Sequence, residues 1–123
     1  MKLTDETRAG TNFIRAHAPG EIRIGERPVS TNVIVTADQL IEWPVQSIAT
    51  LTLADLEPLI ALNPEIVLLG SGEAQRFPDA SLLGALLSLG IGCEVMNTGA
   101  ACRTYNVLVS EDRRVAAALI VTE

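Results

Sequence analysis

Residues 64–98 read PEIVLLGSGEAQRFPDASLLGALLSLGIGCEVMNT, and their pattern decides the fold. An apolar run, Ile66-Val67-Leu68-Leu69, stops at Gly70-Ser71-Gly72. A leucine-rich stretch with helical spacing follows, then a second short run, Cys93-Glu94-Val95-Met96. Strand, crossover helix and strand make a parallel βαβ unit, because parallel strands need a long crossover. Ile66–Leu69 is apolar on both faces, as a strand covered by helices on both sides should be. The two strands are therefore expected to be adjacent, parallel and buried, with the loops after them side by side.

The crossover helix is expected to begin after Phe77-Pro78 with Asp79 as its cap. Leu82, Leu83, Leu86, Leu87 and Leu89 are expected to form its buried stripe, Gly84 and Ala85 to let it approach the sheet, and Gly90 to stop it. After Met96, Asn97-Thr98 caps another helix, on which Ala101, Cys102, Tyr105, Leu108 and Val109 share a face. Val115 to Val121 is a last strand. Upstream of Pro64, Thr52-Leu53-Ala54-Asp55 has capping-box spacing with Asp in place of Glu. Pro58 fits a helix that starts late, with Asp55 as cap and proline still in the first turn. Asn63-Pro64 ends that helix.

Nearer the start, Phe13–Ala18 and Glu21–Gly25 flank Pro19-Gly20 and read as a hairpin. Val29 to Thr36 is a β-branched strand. Gln39 to Trp43 is ambiguous between strand and coil and is broken by Pro44, and Val45 to Ile48 is a short strand. Residues 1–12 are polar and aperiodic, so a frayed arm is expected there, followed by one domain over 13–123. The expected fold class is a compact three-layer α/β domain with a mixed central sheet that contains the βαβ unit, plus the N-terminal hairpin.

Composition bounds the function. The chain has 123 residues, 48% of them hydrophobic and 20% charged, enough for one core. Its formal charge of −6 repels phosphate backbones, so nucleic acid is not an expected partner. No apolar run approaches the roughly 20 residues that span a bilayer, so no membrane insertion is expected. The acidic opening, Met1-Lys2-Leu3-Thr4-Asp5-Glu6, is unlike a secretory signal, and a cytoplasmic location is expected. Cys93 and Cys102 do not make a disulfide framework. Both fit apolar faces, so neither is expected to be catalytic. No metal site and no cofactor are expected, and a monomer or a weak homo-oligomer is the expected state.

Two signature stretches resemble a known family. Pro64 to Gly72 is similar to the first signature of the domain of unknown function 498 family. Gly90 to Thr98, continuing through Ala101 and Thr104-Tyr105-Asn106-Val107-Leu108, is similar to its second. Arg113 to Ile120 is similar to its closing strand. The resemblance covers about residues 13–120. It implies a three-layer α/β fold with a mixed sheet. It carries over no catalytic residue. The family includes the mitochondrial respiratory complex I assembly factor 3, which implies work through protein contacts.

Candidate sites follow from the loops. Gly70, Ser71 and Gly72 present backbone amides after one strand, and Asn97, Thr98 and Gly99 open a helix after the next. Helix N-termini attract anions, and ligands of open α/β folds collect at such strand ends. Arg76 and Arg103 are the nearest arginines and suit a carboxylate or phosphate. Each feature also has a plain structural reading: a tight turn, ordinary capping, and ion pairs with Glu73 or Glu94. His17, the lone histidine, lies far in sequence from both cysteines and is set aside as a ligand or base. Glu65 and Glu94 flank the strands and read as solvated ends rather than an acid–base pair. Trp43 either anchors a partner or closes the core. Two functions remain: a non-enzymatic binding or assembly module whose partner is another protein, and a small-molecule binding protein or enzyme that takes an anionic ligand at 70–72 and 97–99.

Overall fold

The computed structural model describes residues 10–123. The elements run β1 (Ile14–Ala18), β2 (Glu21–Ile24), β3 (Arg27–Val29), β4 (Val33–Val35), β5 (Leu40–Glu42), α1 (Leu53–Ala61), β6 (Ile66–Gly70), α2 (Ala80–Ser88), β7 (Gly92–Met96), α3 (Thr98–Ser110) and β8 (Val115–Leu119). A five-stranded sheet has the order β5-β4-β8-β6-β7, and a three-stranded sheet has the order β1-β2-β3. β8, β6 and β7 are parallel, while β4 runs antiparallel to β5 and β8, so the large sheet is mixed.

Alternation along the strands builds the layers. Val33, Val35, Leu68, Ala117 and Leu119 face one way, where α3 and the small sheet cover them through Ala101, Cys102, Tyr105, Ile22 and Ile24. Ile34, Val67, Leu69, Ala116, Ala118 and Ile120 face the other way, under α1 and α2. The result is three layers: α3 with the small sheet, the large sheet, and α1 with α2.

The βαβ unit forms as expected, with Ile66 opposite Gly92 and Gly70 opposite Met96 in parallel register. One expectation about it fails: β7 is an edge strand, and its residues are half-buried or exposed. β8, from the far end of the chain, takes the place on the other side of β6. The buried stripe of α2 is also narrower than five leucines. Leu82 and Leu86 are buried, but Leu87 and Leu89 are 69% and 58% exposed. Gly84 is exposed, and a Cβ there would meet nothing within 4 Å, so it is not a close-approach residue.

Four local readings change as well. The Val29–Thr36 strand is split at Ser30-Thr31-Asn32, where the chain passes from the small sheet to the large one. Asn32 pins that passage, accepting from the Val121 amide (2.6 Å) and donating to the Val45 carbonyl (2.6 Å). Val45–Ile48 is not a strand; Ser47 caps a 3-10 turn at Ile48–Thr50 through the Ala49 amide. α1 starts at Leu53 with Thr52 as cap, whose amide donates to the Asp55 carboxylate (2.9 Å). Pro58 therefore lies inside the helix, where its missing amide would have met Ala54 on the exposed side, open to water. At the start of the chain, residues 1–9 of the expected arm lie outside the described residues. Asn12 is firmly held: its amide donates to Ala37 O (2.8 Å), and its carbonyl accepts from the Tyr105 hydroxyl (2.8 Å).

Candidate functional site

The strand-end loops do meet, and their polar groups are tied to one another. Thr98 is 1% exposed and holds the junction. Its hydroxyl accepts from the Gly72 amide (2.8 Å) and donates to the Ile120 carbonyl (2.7 Å). Its own amide donates to the Gly72 carbonyl (2.9 Å). Ser71 is 3% exposed; its hydroxyl donates to Ala74 O (2.7 Å) and accepts from the Arg76 amide (2.9 Å). Its amide donates to Met96 O (2.9 Å). Asn97 caps α3 by accepting from the Ala100 amide (2.8 Å).

Each glycine here has a physical reason. A Cβ on Gly70 would lie 2.9 Å from Leu119 Cδ2, 3.1 Å from Thr98 Oγ1 and 3.2 Å from Ala101 Cβ, so glycine lets α3 press against β6. Gly72 has φ +98°, a conformation glycine adopts freely. The Glu123 carboxylate packs beside it and accepts from the Glu73 amide (2.9 Å). The loop thus already holds a carboxylate, supplied by the chain itself.

Gly99 is buried, and a Cβ there would meet His17 Nδ1 at 3.2 Å and Arg103 Nη1 at 3.5 Å. His17, set aside as a ligand or base on sequence distance, lies beside this helix start. Distance along the chain argued against it, but β1 lies along α3, where Asn106 takes the Ile14 amide (2.9 Å) and donates to the Ile14 carbonyl (2.8 Å). No local signal in the sequence points to that pairing. Arg76 and Arg103 are exposed. Glu65 pairs with Arg113 (2.8 Å) and Glu21 with Arg23 (3.8 Å); among the described residues neither Arg76 nor Arg103 is held by Glu73 or Glu94.

Other candidates resolve differently. Trp43 is 2% exposed and donates from Nε1 to Asp55 O (3.0 Å). It closes the core beneath α1 and does not stand on the surface as a partner anchor. Burial pushes the Cys93 thiol up to about 11 and the Cys102 thiol up to about 12, so neither is a thiolate at neutral pH. Glu65 is held below its usual range by the Arg113 guanidinium and the Arg114 amide. Among the described residues no cluster of His, Cys, Asp or Glu could hold a metal ion. A groove of about 510 Å³ opens at the other end of the parallel strands, lined by Thr36, Gln39, Leu62, Pro64, Arg113 and Arg114 among others. It includes none of the glycine-loop residues.

Known proteins resemble the whole chain. A curated relative, the 13 kDa major membrane protein of Francisella tularensis, is 29% identical over 122 residues, covering 98% of this chain and 99% of that one. The NADH dehydrogenase [ubiquinone] 1 alpha subcomplex assembly factor 3 of Danio rerio is 34% identical over 120 residues, covering 96% of this chain and 68% of that one. Among the described residues no helix is long and apolar enough to cross a membrane. A solution structure from Xanthomonas campestris matches with a TM-score of 0.83 and 43% identity, covering 98% of this chain and 92% of that one. A Mth938-like domain of Bordetella pertussis matches with a TM-score of 0.82 and 29% identity, with the same coverage. The family described as protein of unknown function (DUF498/DUF598) matches residues 14–120, and the chain belongs to it.

Proposed function

We propose that the chain is a non-enzymatic protein-contact module, similar in role to an assembly factor. The observation that carries this reading is the state of the strand-end loops. The amides of Ser71, Gly72, Glu73, Arg76, Thr98 and Ala100, with the Ser71 and Thr98 hydroxyls, are bonded within the chain. The assembly-factor relative supports it, as does the exposed apolar surface of α2. Recovery of the tagged chain from its native host tests it. The expected result is a defined partner protein in stoichiometric yield, lost in a Leu87→Glu variant. A chain recovered alone, with ligand-dependent changes at the loops, refutes it.

One observation favours a second reading, a small anionic ligand at Gly70, Ser71, Gly72, Asn97, Thr98 and Gly99. The Glu123 carboxylate sits on the Glu73 amide, with His17 and Arg103 beside Gly99. A phosphate or carboxylate would displace Glu123 and meet Arg103 and Arg76. Titration with phosphate, sulfate and carboxylate metabolites decides it. Amide shifts at Gly72, Thr98 and Gly99 that vanish in Arg103→Ala support the ligand, and silence at millimolar concentration refutes it.

A further inference from the structure

The groove of about 510 Å³ lies where the large sheet parts. β4 pairs with β8 only as far as Val35, opposite Ala117. Beyond that pair β4 turns back through Thr36–Gln39 into β5, while β8 begins at Val115. The space between the turn and the start of β8 is the groove. Its floor is Pro64, Val109 and Val115, all buried, with half-buried Leu62. Its rim carries the exposed side chains of Asp38, Asp112, Arg113 and Arg114. An apolar floor with a few convergent polar groups, within about 300–1,000 Å³, is the usual form of a small-molecule site.

The rim charges are sorted by wall. Arg113 Nε donates to Glu65 Oε1 (2.8 Å) and Arg114 Nε to the Asn63 carbonyl (3.3 Å), so both guanidinium groups lean on the 62–65 wall, either side of Pro64. Glu65 offsets the charge of Arg113. Among the described residues no carboxylate pairs with Arg114, so it carries the net charge of that wall. Its bond is through Nε, which leaves the Nη1–Nη2 edge for a carboxylate. The facing wall is the Thr36–Gln39 turn, which bears Asp38. Asn12 fixes that turn: its Nδ2 donates to Thr36 O (3.0 Å) and Gln39 O (3.1 Å), and its amide to Ala37 O (2.8 Å). Thr36 Oγ1 donates to Asp38 Oδ1 (3.1 Å), which leaves Oδ2 for a donor from outside. Asp38 and Arg114 share one groove without pairing across it. The framework holds two opposite charges apart over an apolar floor.

We infer that the groove binds a zwitterion with an apolar body, of the class of a hydrophobic amino acid or a short peptide. Its carboxylate meets Arg114, its ammonium meets Asp38, and its apolar body lies on Leu62, Pro64, Val109 and Val115. The rim selects this class over ligands of one sign. An anion alone leaves its far end against the carboxylates of Asp38 and Asp112, and a cation alone meets Arg114. A zwitterion is neutral overall, so the chain's charge of −6 does not repel it. Apolar burial drives the binding, and the two charges fix its orientation. The rim charges are exposed, so each pair adds little and the affinity is modest. This site goes beyond the protein-contact reading and stands independently of it. It also shares no residue with the loops at 70–72 and 97–99.

Titration of the full chain with the dipeptide leucyl-leucine, followed by amide chemical shifts, tests this. The expected result is saturable shifts at Ala37, Gln39 and Val115 at millimolar concentration, with Gly72 and Gly99 unmoved. The N-acetylated dipeptide lacks the ammonium and the C-terminal amide lacks the carboxylate, and each binds about three- to fivefold more weakly. Arg114→Gln, at an exposed position, binds the dipeptide and its amide equally. Asp38→Asn keeps the oxygen that Thr36 bonds, and binds the dipeptide and its acetylated form equally. No shifts, shifts at Gly72 and Gly99 in place of the groove, equal binding of all three peptides by the parent chain, or a dipeptide affinity untouched by both variants overturns the inference. A silent groove in a chain that still recovers a stoichiometric host partner fells this site and leaves the contact reading. A groove that fills in a chain recovered alone does the reverse.

Discussion

Replacing Thr98 with valine asks whether the strand-end junction is part of the framework. Valine keeps the volume and the branched shape, so no cavity opens at this 1% exposed position. What disappears is the hydroxyl between the Gly72 amide at 2.8 Å and the Ile120 carbonyl at 2.7 Å. Each orphaned buried group costs about 1–3 kcal/mol. The added methyl returns about 0.8 kcal/mol of apolar burial. For the two groups together, less that return, the net loss is about 1–5 kcal/mol, a large part of the 5–15 kcal/mol typical of a domain. With a urea dependence of about 1–3 kcal/mol/M, a loss in the middle of that range, about 3 kcal/mol, lowers the unfolding midpoint by about 1–3 M. Thr98→Ser keeps the hydroxyl and loses one methyl, so it costs only about 1 kcal/mol. Urea melts followed by circular dichroism read both variants, and hydrogen exchange at Gly72 reports the local effect. The reasoning is refuted if Thr98→Val unfolds within about 0.5 kcal/mol of the parent. It is equally refuted if Thr98→Ser is the less stable of the two.

Three further outcomes are expected. Leu86→Ala truncates a fully buried side chain at the centre of α2 and costs about 2–5 kcal/mol in the same melts; a loss under about 0.5 kcal/mol would place Leu86 outside the core. Half-buried Cys93 and buried Cys102, pushed up to about 11 and 12, react slowly with a thiol reagent at pH 7 under native conditions and quickly once unfolded; rapid native labelling of either would contradict the raised values. Glu65 is held below its ordinary 4.5 by Arg113 and Arg114, so its contribution is present above that value and is lost as pH falls through the folded value. Glu65→Gln accordingly flattens the acid side of the stability profile as pH falls below the ordinary 4.5, and an unchanged profile would show that the contact with Arg113 contributes nothing.

The βαβ unit was legible because its signals are local. An apolar run, a glycine turn, helical spacing and a second run all fall within 35 residues. Its depth in the sheet was not legible, because the position of β7 depends on β8, which inserts between β4 and β6 from the far end of the chain. β8 itself, with Ala116-Ala117-Ala118 at its centre, has modest strand propensity and is buried on both faces only because helices close over it. The same division holds at the loops. That 70–72 and 97–99 lie together follows from parallel pairing. That the Gly72 amide meets Thr98, Thr98 meets Ile120 and the Glu73 amide meets Glu123 are facts of tertiary placement. His17 was set aside on sequence distance, which says nothing about a strand that lies along a helix. Pro58 and the α2 leucines show the limit of periodicity. Spacing identifies a helix, but which side is covered depends on how many neighbours the helix has.

The residues that made the strand ends resemble a ligand site are those needed to join two parallel strands to a tightly packed helix. Small residues let backbones approach, and free amides at a turn and a helix start must find acceptors. A ligand is one source of acceptors; a threonine hydroxyl, an asparagine cap and a glutamate side chain are others, and this chain supplies all three. Glycine and amide patterns therefore cannot separate a binding site from a well-tied junction without the hydrogen-bond partners in hand. The opposite holds at the α2–β7 corner. No motif marks it, and its signal is a lack of charge on exposed surface, visible only after burial has separated Leu82 and Leu86 from Leu87 and Leu89. Leaving exposed leucines and an unpaired strand together is an aggregation hazard unless something covers them or the edge is blunted. Gln75 blunts one carbonyl, and Glu94 places a charge along the strand, so indiscriminate pairing is discouraged.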